Sequence, residues 1–359
     1  MPPIPPPPLP SPESLPDRTL KDRRLRVVLC GYGPLGLALL HGLLDCGELC
    51  EIVGVFRWTA RNGNQWEQEP CETEFSQCVT KAGLYDFHGK GINSYAFSAF
   101  LNQVQPDLLL IGSWGEIVQT HVLEHPGCLS INCHPAYLPQ HRGANPYSSV
   151  ILTTETETGV TFHRMLPTLD SGPIFLQRRI PLYGTDTSLL IRDRCAETAK
   201  TMLPQLLTNL REALVEGHPL LETPQDESKA TYYPAPQDKD GLLDWDQSPD
   251  ALSRQIRALY PWILPFSYLG GKHRVYFYQP RLVTRTLQNQ YPATRPGTIV
   301  CRFGASPRLY IATSASDVLL EVSACGMTIA GGRLIPNWLG RIAALCLLHP
   351  GCYFATPLK

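Results

Sequence analysis

No stretch constrains the fold of this chain more than Leu25 to Phe56. Leu25-Arg-Val-Val-Leu-Cys30 is a short apolar run of the kind buried strands use, Leu35 to Leu44 carries apolar residues at helical spacing, and Glu51-Ile-Val-Gly-Val-Phe56 repeats the strand pattern. Strand, helix and strand in that order form a βαβ unit, so the opening predicts an α/β, Rossmann-like fold with a mostly parallel sheet flanked by helices. The turn into the helix, Gly31-Tyr-Gly33-Pro-Leu-Gly36, fits the G-x-G-x-x-G spacing of dinucleotide sites. A dehydrogenase also needs an acidic residue at the end of the second strand, whereas this strand runs into Phe56-Arg57-Trp58. Arg57 would suit a phosphorylated cofactor, which leaves an NAD(P)-binding oxidoreductase as an alternative. The preferred reading is a tight turn that brings the helix close to the sheet.

The rest of the chain divides by composition. Residues 1–24 open with Met1-Pro-Pro-Ile-Pro-Pro-Pro-Pro-Leu-Pro10, too rich in proline to join a core or serve as a secretory leader, and are expected to be a disordered tail. Residues 25–222 are expected to form the first domain, with an irregular insertion at 58–90 and a closing helix from Ser188 to Glu216. Residues 223–238, rich in Pro, Gln and Asp, read as a linker. Residues 239–340 hold short strand-like runs such as Val275-Tyr-Phe-Tyr278, Leu309-Tyr-Ile-Ala312 and Val318-Leu-Leu-Glu-Val322, whose natural packing is a small OB-like β-barrel; 341–359 read as a C-terminal tail. With 359 residues and 43% apolar content the chain can build both cores.

Twelve cysteines without a CxxC pair point to reduced thiols and a cytoplasmic protein. Cys46 and Cys50, four apart with His41 nearby, are read as core residues rather than ligands, so no metal is expected. No apolar run approaches the roughly 18 residues that cross a bilayer, so no membrane partner is expected either.

Chemistry concentrates between residues 132 and 172. Asn132 and His134 lie two apart at the end of the apolar run Cys128-Leu-Ser-Ile131, so an extended backbone points both side chains to one face. Pro135 and Pro139 then end the strand. Gly159-Val-Thr-Phe-His163 reads as a further strand, and Leu169-Asp-Ser-Gly172 as a turn that can return Asp170 to His134, fix its tautomer and raise its pKa. Together an amide, an imidazole and a carboxylate can stabilise an oxyanion and move a proton; singly, each also has an ordinary structural role.

The run Asn132-x-His134-Pro135-(x)2-Leu138-Pro139-x-x-Arg142-Gly143, followed by Glu157-Thr-Gly-Val-Thr161 and Leu169-Asp-x-Gly172, resembles the formyltransferases that use 10-formyltetrahydrofolate. Pro106-Asp107-Leu-Leu-Leu-Ile-Gly-Ser-Trp-Gly115, Gly241-Leu-Leu-Asp-Trp245 and Arg254-Gln-Ile-Arg257-Ala-Leu-Tyr-Pro-Trp262 extend the resemblance over roughly residues 25 to 340, toward methionyl-tRNA formyltransferases and sugar-modifying relatives. The resemblance implies that an amine attacks the formyl carbon of the folate. Asn132 and protonated His134 would donate to the resulting oxyanion, and Asp170 would hold His134 charged. It implies a pterin pocket lined by Glu116, Ile117 and Val118, by Ala136, Tyr137, Leu138 and Pro139, and by Leu166, Pro167, Thr168 and Leu169. For Ile117, Val118 and Leu138 simple core packing is an equal alternative. Arg142 either clamps the catalytic loop or faces the acceptor.

Charge bears on the acceptor. Residues 251–359 carry twelve Lys or Arg against two acidic residues, although the whole chain has a net charge of −1. A basic second domain suits a polyanionic acceptor, with Arg254, Arg257 and Arg274 as contact candidates. Initiator methionyl-tRNA is the first expectation, although Thr59 to Pro70 lacks a lysine-rich run. A nucleotide-linked amino sugar is the second, and hydrolysis of the formyl folate a third. A monomer is expected.

Overall fold

A computed structural model describes residues 23–57, 70–87, 91–270, 273–284, 295–302, 308–327, 348 and 350–355. Most of the expected tail and residues 58–69 lie outside these. Arg23, placed in that tail by the sequence, belongs to the folded part: its guanidinium donates to both carboxylate oxygens of Asp107 at 2.7 and 2.8 Å.

Two compact units emerge, the first running to Pro146 and continuing through Thr156–Leu182 and Ile191–Tyr233. In chain order the elements are β1 (Leu25–Gly31), α1 (Gly33–Asp45), β2 (Cys50–Arg57), α2 (Pro70–Lys81), α3 (Tyr95–Val104), β3 (Leu108–Gly112), α4 (Thr120–Leu123), β4 (Leu129–His134), β5 (Arg142–Gly143), α5 (Pro146–Leu152), β6 (Glu157–Arg164), β7 (Ile174–Pro181), α6 (Ser188–Leu214) and β8 (Tyr232–Tyr233). Of these, α5 past Pro146 and the first residues of α6 belong to the second unit. The main sheet runs β2-β1-β3-β4-β6-β7, parallel through β4 and antiparallel beyond it. Its strands β1 and β3 are apolar on both faces, as a sheet covered by helices requires. Phe56, Phe87, Phe97 and Phe100 fill one side with tilted and edge-on ring contacts.

The glycine-rich turn serves packing. A Cβ on Gly31 would lie 2.6 Å from the Gly112 carbonyl oxygen, and one on Gly36 would lie 3.2 Å from the Phe75 ring. At the start of α1, where a dinucleotide phosphate would bind, the Gly33 N–H donates to Glu72 Oε1 at 2.6 Å. The protein's own carboxylate takes that anion position. Glu72 comes from α2, where the sequence led us to expect an irregular insertion. Among the described side chains of that helix only Phe75 and Val79 are buried, so its periodicity is faint in a polar segment.

The second unit is built from α7 (Pro249–Leu259), β9 (Phe266–Leu269), β10 (His273–Thr284), β11 (Ile299–Arg302), β12 (Arg308–Ala312), β13 (Val318–Met327) and β14 (Phe354–Ala355). Its antiparallel sheet runs β11-β12-β13-β10-β9-β14. Residues 351–354 bond back to the first strand of that order, through Ile299 N–H to the Cys352 carbonyl and Phe354 N–H to the Gly297 carbonyl. The sheet therefore curls round into a half-barrel, with residues 351–354 covering part of the edge at β11. Residues 350–355, expected in a C-terminal tail, are thus part of the barrel, and Phe354 is fully buried against Trp245. Trp245 donates its indole N–H to Ser267 Oγ at 3.0 Å, which satisfies its one polar group inside the apolar core.

Candidate active site

The candidate side chains gather where β4 ends. Asn132 and His134 alternate with buried Ile131 and Cys133, and the antiparallel register sets Asn132 opposite His163 and His134 opposite Thr161 on β6. Asp170 arrives from the turn after β6, with φ of 52°, a left-handed conformation that aspartate tolerates. Its neighbour Gly172 has no room for a side chain, because a Cβ would lie 1.9 Å from the Arg164 carbonyl oxygen. The three residues singled out from the sequence are thus brought together, with His134 and Asp170 buried.

Hydrogen bonds fix how they face one another. His163 Nδ1 lies 2.8 Å from the Arg164 carbonyl oxygen, which can only accept, so that nitrogen carries the proton. In the neutral tautomer this leaves His163 Nε2 as a lone pair facing Asn132 Nδ2 at 3.2 Å, which donates to it. Asn132 Nδ2 also donates to Asp170 Oδ1 at 3.4 Å, so the amide is oriented with its hydrogens toward His163 and Asp170. Both contacts are long, as donors awaiting a substrate often are. Asp170 Oδ2 accepts the Gly143 N–H at 2.8 Å and tethers the loop after β4.

Asp170 pulls the His134 pKa up as expected, but not far enough to hold the imidazole charged. Its Nε2 donates to the His141 carbonyl at 2.9 Å, while Nδ1 stands 3.7 Å from Asp170 Oδ2, beyond hydrogen-bond range. Burial lowers its pKa and outweighs the opposing pull of Asp170 and the His141 carbonyl, with His163 and Arg142 adding repulsion. The resting imidazole is neutral rather than charged. Burial pushes the Asp170 carboxyl up, but His134, His163 and the Gly143 N–H together hold it well below the usual carboxylate range. It is an anion awaiting a cation.

Residues 223–233, expected in a linker, instead grip this site from within the first unit. Arg142 is fully buried, and its guanidinium donates to Gln225 Oε1, to both Glu227 carboxylate oxygens and to the Tyr232 hydroxyl. Gln225 turns its own amide to the Asp170 and Gly172 carbonyls at 2.8 and 2.7 Å. Thr231 accepts from the His141 N–H through its hydroxyl and from the Arg142 N–H through its carbonyl. Gly143 passes so close to Tyr233 that a Cβ would lie 2.3 Å from its carbonyl oxygen. Arg142 is therefore the clamp of its loop, and its placement among acceptor contacts is corrected: its donors face the protein. His163, Gln225, Glu227 and Thr231 were not singled out from the sequence. Only His163 lay within a motif that was.

The expected pterin-pocket residues fall into three groups. Ala136, Leu138 and Val118 are buried, which favours packing for the latter two. Glu116 is occupied, accepting the Ile92 N–H at 3.1 Å, and the Ile117 carbonyl accepts from Asn93. Around Ala136 to Pro139, Thr161 and Gln177 hold the backbone, Thr161 donating to the Ala136 carbonyl and Gln177 to that of Leu138, while Arg179 stacks on Tyr137. Ile117, Leu166 and Leu169 stand open at 77%, 42% and 50% exposure, with Pro167 and Thr168 also exposed between the last two. Apolar side chains left open like this are what a ligand face offers.

In the second unit, Arg257 donates to the Asp186 carbonyl at 2.6 Å and Arg274 pairs with Asp238 at 2.8 Å while stacking on Phe266. Arg254 sits half-buried on α7. No described helix is long and apolar enough to cross a membrane. Cys46 and Cys50 are buried as expected, and burial pushes the Cys50 thiol up to about 12.

Comparison with known proteins adds to this geometry. Residues 44–207 match the formyl transferase family, and residues 237–325 match the formyl transferase C-terminal domain. Among solved structures, HypX from Aquifex aeolicus in complex with tetrahydrofolic acid is similar at 16% identity and a TM-score of 0.61, over 88% of this chain and 46% of that one. The chain spans about half the length of the HypX chains it matches. The N-formyltransferase from Helicobacter canadensis, in complex with folinic acid and dTDP-3-aminofucose, is similar at 14% identity and a TM-score of 0.56, over 84% of this chain and all of that one. Methionyl-tRNA formyltransferase from Clostridium thermocellum gives a TM-score of 0.48 at 16% identity, over 72% of this chain and 93% of that one, too low a score to carry an argument.

Proposed function

This chain belongs to the formyl transferase family, and on that premise we propose that it moves the formyl group of 10-formyltetrahydrofolate to a primary amine through Asn132, His134 and Asp170. The observation that carries this reading is the convergence at the end of β4 of an oriented amide, a neutral buried imidazole and a carboxylate anion. Attack of the amine on the formyl carbon forms a C–N bond and an oxyanion. Asn132 Nδ2 releases its long contact with Asp170 and donates to that oxygen. The proton lost by the amine passes to His134, where Nδ1 gains Asp170 as counter-ion, and then to the folate nitrogen as its bond to the formyl carbon breaks. Ile117, Leu166 and Leu169 supply the apolar face for the folate.

For the acceptor we take initiator methionyl-tRNA, supported by the twelve basic against two acidic residues of 251–359. Arg274 and Arg257 already serve structural partners, so Arg254 is the strongest of the three contact candidates. A nucleotide-linked amino sugar is the second reading, favoured by Glu155-Thr-Glu-Thr-Gly-Val-Thr-Phe-His-Arg-Met165. Incubating the protein with 10-formyltetrahydrofolate and following tetrahydrofolate release decides among them. Release only with charged initiator tRNA supports the first reading, and release only with an amino sugar overturns it. Release into water alone marks a hydrolase, and no release under any condition removes the enzymatic reading.

A further inference from the structure

Outside the active site, α1 and α2 bring together three groups that formyl transfer does not use. Glu74 and Cys78 are four residues apart on α2, which places them on one face of the helix, and His41 meets them from α1. His41 Nε2 lies 3.3 Å from Cys78 Sγ and 3.6 Å from Glu74 Oε1, and the three ligand atoms all lie within 4.8 Å of one another. The cluster is half-open: His41 and Cys78 are partly buried and Glu74 is exposed.

We propose that His41, Glu74 and Cys78 form a binding site for a divalent transition-metal ion of the zinc class. A sulfur and a carboxylate oxygen both approach the same imidazole nitrogen, and a proton on that nitrogen serves one of them well at a time. An ion at the centre takes a lone pair from each. For tetrahedral zinc, with bonds of about 2.0–2.1 Å to nitrogen, 2.0–2.2 Å to oxygen and 2.3 Å to sulfur, neighbouring ligand atoms stand about 3.4–3.6 Å apart. Pair by pair, that geometry asks for about 3.6 Å between nitrogen and sulfur and about 3.4 Å between nitrogen and oxygen, so the observed 3.3 and 3.6 Å each lie about 0.2–0.3 Å away, a shift that side-chain rotation supplies. Thiolate, imidazole and carboxylate as a set select zinc, cobalt or copper over magnesium or calcium, which prefer oxygen alone. With three protein ligands, water completes the shell. The ion would pin α2 to α1, and so hold Glu72 at the start of α1. Cys46 and Cys50, read from the sequence as core residues rather than ligands, are buried, and it is Cys78, not singled out from the sequence, that the fold presents to His41.

Cobalt titration of the metal-stripped full-length protein tests this. One equivalent should bind with the near-ultraviolet band of thiolate-to-cobalt charge transfer, and zinc should displace it. Cys78→Ser should abolish the band, and Glu74→Gln, at an exposed position that folding does not need, should weaken binding at least tenfold. Formyl transfer by both variants should stay unchanged, whereas Cys352→Ser should leave both band and affinity intact. Zinc should also raise the melting temperature of the parent and not of Cys78→Ser. Absence of a thiolate band, or a band that survives Cys78→Ser, overturns the proposal.

Discussion

The end of β4 and the core of the barrel are both buried, yet they bury opposite things. The barrel encloses Leu243, Trp245, Phe277, Ile311, Leu320 and Phe354, with one indole N–H to satisfy. The end of β4 encloses two histidines and an aspartate, and draws on Gly143, Gln225, His141 and Arg164 for partners to their polar atoms. Apolar burial is stabilising by itself, whereas polar burial is kept in place by a network and returns its value as chemistry. Damage in the barrel should therefore be read in stability, and damage at β4 in turnover.

The sharpest test of that contrast is Trp245→Ala, which should lower unfolding free energy by about 3–5 kcal/mol in a denaturant titration, as large aromatic truncations in cores do. A loss below about 1 kcal/mol would show that the barrel core is looser than its contacts imply. Asn132→Ala is the counterpart. It should raise the barrier by about 2.7–4 kcal/mol, on the order of a hundred- to a thousandfold in kcat, with the melting temperature nearly unchanged. Equal damage to folding would erase the distinction.

Gly143→Ala mixes the two effects. At φ of 106° with the Tyr233 carbonyl in the way, the new methyl must displace the 223–233 segment and with it the N–H that Asp170 accepts. We expect about 1–3 kcal/mol of destabilisation together with lost activity.

Acid should act on the site, in the same window as buried His125, whose pKa burial also lowers. His134 binds its proton less readily folded than unfolded, so stability should fall as pH drops below the ordinary histidine value of 6.5 toward the lower folded value. Asp170 adds a second loss below 3.8, because the unfolded chain takes up that proton first. Activity that needs neutral His134 should decline across the first window. A bell whose acid limb lies above pH 6.5 would show that the imidazole is charged at rest, against this reading.

The smallest structural effect is expected at Ile117. Its side chain is largely open, so Ile117→Ala should change stability by no more than about 0.5 kcal/mol while raising KM for the folate. An unchanged KM would remove it from the ligand face.

Much of this was legible without coordinates. The βαβ opening follows from local periodicity, and the β4 placement of Asn132 and His134 from alternation and two prolines, because both signals act between near neighbours in the chain. Helix α2 was missed because only two of its described side chains are buried, and the return of Phe354 to the sheet was missed because six residues carry no periodic signal. Gln225, Glu227 and Thr231 looked like a linker for a similar reason. A polar segment that clamps a loop by side-chain hydrogen bonds has the composition of one that clamps nothing.

The sequence by itself determined the α/β and barrel classes, the family and the three residues proposed to react, since strand, turn and motif are written in consecutive positions. Tertiary structure alone decided that burial lowers the His134 pKa, that Arg142 faces inward and that His41 meets Cys78. Those outcomes depend on how far a group is removed from water and on which distant atoms surround it, and neither quantity exists until the chain has folded.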